Sequence, residues 1–242
     1  MGSVFTFMGA DHRCGTSMIS LCAAEHIAKQ KTDWNILLIH SEAKSGDEYT
    51  PRLSANMELI SPYIIEELID ADEIKAKSKY KNNLYIIGGA NDPLSSSKYN
   101  PDKFSIFLES CSENFDLIIC DAGSEIEHGL AVGAIVSAKR MYVVAAQRES
   151  AFKRIEWYEG VLNQLRSGYD YCVINNYKTD SAYSLQYCAN RLGIDMKKIL
   201  RVGNSPYGDI AEIQEKSLLG FKSTSFKRDI DRLAHNILDN YE

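Results

Sequence analysis

Three small residues near the amino terminus, Gly15, Thr16 and Ser17, have the types and the spacing that suit binding of a phosphate group. An apolar run at residues 4–8 precedes them, and apolar residues at helical spacing follow them. A strand, a loop and a helix in this order point backbone N–H groups and a helix N-terminus at an anion. The stretch therefore predicts an anion-binding loop.

The loop departs from the phosphate-binding pattern G-x-x-x-x-G-K-[ST] in its first glycine and in its lysine. Ala10 stands at the glycine position, and Thr16 stands at the lysine position. The backbone amides of the pattern remain, but its cation is missing. A turn that keeps Gly15 only for close packing is the alternative interpretation. Cofactor contacts are predicted for Ala10, Asp11, His12, Arg13, Cys14, Gly15, Thr16, Ser17 and Met18.

A single aspartate, Asp121, ends the apolar run at residues 115–120 and precedes Ala122 and Gly123. A carboxylate at the end of a strand beside a phosphate loop is suited to holding Mg²⁺ through water. We therefore predict Asp121 as a metal ligand. The alternative is that its side chain only caps the next turn.

The composition indicates one α/β domain over residues 1–242. Hydrophobic residues make up 45% of the chain, and strand-like and helix-like segments alternate without a repeat or a Pro/Gly-rich linker. The formal net charge of -6 does not favour non-specific binding to nucleic acid or anionic lipid. A large buried core is the expectation.

The apolar patterns predict the following elements. Strands are predicted at residues 4–8, 35–40, 84–87, 115–120, 141–145, 171–174 and 199–202. Helices are predicted at residues 16–28, 61–78, 101–108, 126–138, 149–165, 181–192, 209–217 and 226–240. In the helix at 61–78, Pro62 is expected in the first turn and Leu68 and Ile69 on the apolar face. The last helix is expected to dock on the core, because its polar face lacks the basic surplus of a membrane-surface helix.

The cysteines and the hydropathy pattern suggest a cytoplasmic protein. Six cysteines are scattered, mostly within apolar segments, without metal-ligand spacing, which indicates buried free thiols in a reducing compartment. The sequence shows neither a signal-peptide pattern nor an apolar run of bilayer-spanning length. We therefore expect no transmembrane segment.

Together these segments resemble the MinD/ParA family of P-loop ATPases, over nearly the whole chain. The resemblance is greatest to an atypical branch that includes the CpaE/TadZ pilus-localisation proteins. It implies a doubly wound, mostly parallel sheet with helices on both faces. It also implies ATP or ADP and Mg²⁺ as cofactors, with Ser17 and Asp121 at the metal. In the family's K-G-G-x-G-K-[ST]-[ST] loop, Asp11 stands at the first lysine and Thr16 at the second.

Further matches extend the implied site. The run NILLIHSE matches a strand that ends D-x-D, so that His40 replaces the first carboxylate and Glu42 the second. Glu42 is thus implied as the group that orients attacking water, and we assign His40 no role. The run VINN places Asn175 at the adenine, and NSPYGD places Pro206 beside the base.

The departures predict weak or absent hydrolysis. Thr16 offers one neutral hydrogen bond, and a carboxylate at Asp11 repels phosphate by about 4 kcal/mol at 4 Å and an effective dielectric near 20. The family resemblance implies a homodimer that serves a pilus, secretion or partition machine as a positioning factor. A slow partitioning ATPase in which Arg13 replaces lysine, and a nucleotide-free interaction scaffold, remain alternatives.

Overall fold

The computed structural model describes residues 2–42, 44–46, 48–51, 53–66, 70–92 and 98–241. The described strands are β1 Ser3–Gly9, β2 Ile36–His40, β3 Lys79–Lys81, β4 Leu84–Ile87, β5 Leu117–Asp121, β6 Arg140–Ala146, β7 Tyr171–Tyr177 and β8 Ile199–Gly203. The described helices are α1 Thr16–Gln30, α2 Met57–Ile65, α3 Ala71–Lys77, α4 Pro101–Cys111, α5 Gly129–Ser137, α6 Glu149–Leu165, α7 Leu185–Leu192, α8 Gly208–Ile213 and α9 Thr224–Asp239.

The strands form one sheet in the order β3-β4-β2-β5-β1-β6-β7-β8. Every neighbouring pair is parallel except β3 and β4. Strands β2 and β5 are buried along their whole length, as the continuous apolar runs require of strands covered on both faces. The predicted fold class, a mostly parallel α/β sheet with helices on both faces, is confirmed.

Two apolar clusters cover the two faces of the sheet. One contains the buried sides of α1 and α9, among them Ile19, Ile27, Phe226 and Ile230. The other contains the buried sides of α2, α4 and α5. As predicted, α9 docks on the core, where its apolar residues pack next to α1. Among the described residues, none of the helices has the length and hydrophobicity needed to cross a lipid bilayer.

The order of the strands reverses direction at β1. Strand β1 lies between β5 and β6, and the chain first leaves it toward β2 and later crosses from β5 to β6. In open parallel sheets such a switch in direction leaves a crevice at the carboxyl ends of the strands. The loops after β1, β2, β5 and β7 all end at that edge.

The structure corrects the helix predicted at residues 61–78. Asn56 accepts a hydrogen bond from the Leu59 N–H, so α2 begins before Pro62, which then lies inside the helix. Asp70 caps a separate helix, α3. The predicted apolar residues Leu68 and Ile69 lie outside the described residues.

Smaller differences have local causes. Strand β3 is too short and too exposed to give an apolar pattern, and the sequence prediction missed it. Helix α7 begins at Leu185 because the Ser184 side chain accepts from the Tyr187 N–H. Helix α5 begins at Gly129, three residues later than predicted.

Candidate functional site

A cavity of about 650 Å³ opens at the carboxyl edge of the sheet, between the β1–α1 loop and α8. Residues 11–18 form one wall, and the loops after β2, β5 and β7 form the others. The lining consists of Asp11, His12, Arg13, Cys14, Gly15, Thr16, Ser17, Met18, Glu42, Lys44, Glu48, Tyr49, Gly123, Ser124, Asn175, Asn176, Gly208, Asp209, Glu212, Leu218 and Phe226.

The loop presents its backbone amides to this cavity. Gly15 is the N-cap of α1 in the left-handed region, with φ 81°, and no side chain caps the helix. Among the described residues, the N–H groups of residues 15–18 have no hydrogen-bond acceptor, whereas Ile19 N–H already donates to the Gly15 carbonyl. Free amides at the N-terminus of a long buried helix are the main requirement for holding a phosphate.

Asn175 fixes the loop to the sheet. Its buried Nδ2 donates to the Cys14 carbonyl at 2.8 Å, and a Cβ on Gly15 would lie only 2.4 Å from the same nitrogen. Asn175 lines the cavity, but one of the two N–H groups of its side-chain amide donates to the loop. Pro206 is exposed and lies outside the lining, and Gly208 and Asp209 of α8 take the corresponding wall.

Thr16 contributes no cation to the cavity. Its side chain is buried, and a Cβ on Gly9 would lie 2.6 Å from its hydroxyl, so the hydroxyl packs beneath the loop. Ser17 is half-buried and lines the cavity beside it. Ala10 is buried behind the loop, where its N–H donates to the Val144 carbonyl.

Asp11, at the position of the family's first lysine, is paired within its own chain. Its Oδ2 lies 3.1 Å from Nη2 of Arg148, and its Oδ1 accepts from the His12 N–H at 2.8 Å. Arg13 follows with a φ of 58°, unusual for a residue other than glycine, and its side chain is exposed. The ion pair offsets the charge of Asp11 that opposes a phosphate.

His12 joins the loop to the segment after β5. Its Nδ1 lies 3.1 Å from the Ser124 hydroxyl, and its Nε2 lies 3.2 Å from Glu125 Oε1. His128 contacts the same carboxylate at 3.5 Å. These contacts give the loop a second anchor besides Asn175.

Behind the loop lies a cluster of His40, Glu42 and Asp121. His40 and Asp121 are paired in register across β2 and β5, and His40 Nδ1 lies 3.2 Å from Asp121 Oδ2. Asp121 Oδ1 accepts from the Gly123 N–H at 3.1 Å. Asp121 is fully buried and does not line the cavity, and Glu42 is the member that reaches it.

Burial and charge shift the protonation of this cluster. Burial, and then the charge of Asp121, raises the pKa of Glu42 to about 8. Burial lowers the pKa of His40, but the hydrogen bond and charge of Asp121 outweigh burial, so the net shift of the His40 pKa is upward. Both groups therefore tend to hold a proton when no cation is bound.

The sequence prediction assigned no role to His40, yet it contacts the predicted metal ligand. Its place at the end of β2 was the available signal, because β5 ends beside β2 at Asp121. The prediction also missed the far wall of the cavity, which contributes Lys44, Glu48, Asp209 and Glu212. These residues belong to loops and a short helix without a recognisable motif.

The hydrogen-bond donors and oxygen ligands of the site suit a Mg²⁺-nucleotide, but the charge of its lining does not. The free amides and the glycine-lined approach suit phosphate, and Ser17 and Glu42 offer oxygen ligands for Mg²⁺. Five carboxylates line the cavity against two fixed cations, Arg13 and Lys44. A phosphate in this cavity would therefore need an accompanying divalent cation to offset the negative charge of the lining.

Comparisons with solved structures identify the same fold in known ATPases. A ParA family ATPase from Chlorobium tepidum TLS has a TM-score of 0.85 at 16% identity, covering 98% of each chain. MinD in the MinC:MinD complex of Aquifex aeolicus has a TM-score of 0.78 at 15% identity, covering 98% of this chain and 96% of that one.

MinD of Pyrococcus horikoshii OT3, complexed with Mg-ADP, has a TM-score of 0.68 at 14% identity, over 98% of this chain and 96% of that one. No model of a known protein family matches the sequence, and no curated protein matches it either. At these identities the comparisons concern the fold alone: the chain has the α/β fold that ParA and MinD ATPases share.

Proposed function

We propose that this chain binds Mg²⁺-ATP or Mg²⁺-ADP in the cavity, hydrolyses ATP weakly or not at all, and acts as a positioning or assembly factor. The observation that carries the proposal is the loop at residues 11–18, which lines the cavity, contains no lysine, and has N–H groups at residues 15–18 without an acceptor among the described residues. The volume lies within the range of about 300–1,000 Å³ usual for small-molecule sites. The Mg-ADP complex of the P. horikoshii neighbour supports the choice of ligand.

Weak hydrolysis follows from the charges at the loop. A cation at the transferred phosphoryl group is worth a factor of about 10³–10⁵ in rate. Thr16 is neutral and packed beneath the loop, and Asp11 is an anion paired with Arg148. Glu42 reaches the cavity and is the proposed group that would orient water, and Ser17, which also lines the cavity, would bind Mg²⁺. Asp121 is buried behind the cavity lining and would act on Mg²⁺ through water. The adenine role of Asn175 and Pro206 stays a prediction.

The biological role rests on resemblance. The neighbours include a ParA family protein and a MinD protein in complex with MinC, which supports a cytoplasmic protein that dimerises and recruits partners. The sequence resemblance to CpaE/TadZ proteins makes a Tad-type pilus or secretion machine our proposed destination.

The acidic lining favours a second candidate function, a nucleotide-free interaction scaffold. Carboxylates of Glu48, Asp209 and Glu212 face the cavity opposite the loop, and they would repel the phosphates of a nucleotide. In that case the fold would serve only as a surface for a protein partner.

Calorimetric titration of the full chain with Mg-ATP and with Mg-ADP distinguishes the two functions. The first proposal predicts one saturable site that is lost when EDTA removes Mg²⁺. Absence of heat up to millimolar nucleotide would leave the scaffold. If the chain binds ATP, the first proposal predicts that phosphate release stays at the background level. A measurable rate of ATP hydrolysis that Glu42→Ala abolishes would instead support the slow ATPase.

A further inference from the structure

We infer that His40, Glu42 and Asp121 form a binding site for a divalent transition-metal ion such as Zn²⁺, which the chain binds without nucleotide and in preference to Mg²⁺. One ligand atom from each of the three side chains lies within 4.8 Å of the other two. Ligands at about 2.0–2.2 Å from a tetrahedral ion lie about 3.3–3.6 Å apart. His40 Nδ1 and Asp121 Oδ2, 3.2 Å apart, already have nearly this spacing, and the half-buried Glu42 side chain closes the remaining gap of at most about 1.5 Å.

The imidazole of His40 is the second observation for this site. His40 is 1% exposed, and its Nδ1 lies 3.2 Å from Asp121 Oδ2, so Nδ1 is the nitrogen that an ion between the two side chains would bind. Burying Asp121 close to a second carboxylate is unfavourable. A divalent cation offsets this cost. Lys44 lies on the same cavity wall, but its side chain is exposed.

Two glycines in the left-handed region shape the cluster. A Cβ on Gly46, with φ 66°, would lie 2.4 Å from Cγ of His40, and a Cβ on Gly123, with φ 62°, would lie 2.5 Å from Glu42 Oε2. The backbone thus approaches both side chains too closely for any other residue. Asp121 is held by the Gly123 N–H. The ligands are therefore positioned before an ion arrives, and Glu42 provides the path from the cavity.

The donor set decides which ion is preferred. Mg²⁺ favours oxygen ligands and retains most of its water, whereas imidazole nitrogen favours Zn²⁺ and its neighbours in the first transition row. The imidazole of His40 therefore favours a transition metal over Mg²⁺, and a nucleotide phosphate is not needed to complete the site.

The test uses the full chain, freed of metal with EDTA and free of nucleotide, in competition with a chromophoric chelator for Zn²⁺. We expect one Zn²⁺ per chain and a loss of affinity of at least about tenfold in both His40→Asn and Glu42→Gln. His40→Asp should bind Zn²⁺ more weakly and lose it more readily to millimolar Mg²⁺. Co²⁺ should give a visible spectrum without a thiolate charge-transfer band, because the cysteines are not ligands.

Two control variants test other histidine–carboxylate pairs. His26→Asn removes a pair with Asp231, at 2.9 Å, and His128→Asn removes a contact with Glu125. Both should leave Zn²⁺ binding unchanged.

If circular dichroism shows that His40→Asn does not fold, Glu42→Gln and the Co²⁺ spectrum test the inference instead. Absence of Zn²⁺ binding, binding that survives Glu42→Gln, or binding lost in His128→Asn would overturn the inference. Because nucleotide is left out, the result is independent of ATP binding.

Discussion

Thr16 stands at the lysine position of the phosphate-loop pattern and lines the cavity. Thr16→Lys should therefore strengthen Mg-ATP binding by about 10–100-fold, since a hydrogen bond to a charged group contributes about 1.5–3 kcal/mol. Calorimetric titration measures the change, and Thr16→Ser is the matched control. An affinity equal to that of the control would mean that the lysine does not reach the phosphates.

Glu42 makes the stability of the metal-free protein depend on pH. Its pKa is raised from 4.5 to about 8, so the folded state holds a proton that the unfolded state has lost. Stability should fall as pH rises through this window, by at most about 1.4 kcal/mol per pH unit. The upward shift of the His40 pKa acts in the same direction.

Glu42→Gln removes this titration. In EDTA the variant should be more stable than the wild type at pH 8, by about 1–2 kcal/mol, with little difference at pH 4.5. Urea denaturation across this pH range measures both. Parallel stability curves for the two proteins would show that Glu42 is ionised in the fold at all these pH values.

At the scale of elements, the hydrogen bond from Asn175 joins β7 to the β1–α1 loop. Asn175→Ala should destabilise the fold by about 1–3 kcal/mol, because the buried Cys14 carbonyl loses its donor. Gly15→Ala should be similarly costly, since the new Cβ meets Asn175 Nδ2 and the φ of 81° is strained for alanine.

In the double variant the steric conflict is gone, so the two costs should not add. Their coupling is expected at about 0.5–3 kcal/mol by urea denaturation. Gly193→Ala is the control for backbone strain alone, because its φ is 63° and its Cβ would meet nothing within 4 Å. Additive costs would place the Asn175 amide away from Gly15 in solution.

Elements differ in how far the sequence predicts them. The runs at residues 35–40 and 115–120 gave strands because strands buried on both faces need continuous apolar residues. The prediction of one helix at 61–78 was wrong, because the Asn56 and Asp70 side chains cap two separate helices and Pro62 lies inside the first of them. The loop position was predictable from its small residues, but the pairing of Asp11 with Arg148 depends on residues 137 positions apart. Spacing does not reveal such contacts.

For the whole molecule, the prediction concerns assembly. The sequence resemblance implies that a lysine at the position of Asp11 would reach a partner's phosphate, but Asp11 is an anion held by Arg148 of its own chain. Mg-ATP should therefore leave the molar mass from light scattering unchanged, whether the protein is a monomer or a constitutive dimer. Asp11→Lys is the informative variant. A mass that doubles only with ATP in the wild type would contradict this prediction.

The position of β1 in the middle of the sheet has a consequence for amide hydrogen exchange. At its end, Gly9 N–H donates to the Gly123 carbonyl at 2.6 Å and Ala10 N–H donates to the Val144 carbonyl at 2.8 Å. These amides should exchange only on global unfolding, whereas those of residues 15–18, a few ångströms further along, should exchange rapidly. Slowing of the second group by Mg-ATP, with the first unchanged, would report ligand contact residue by residue.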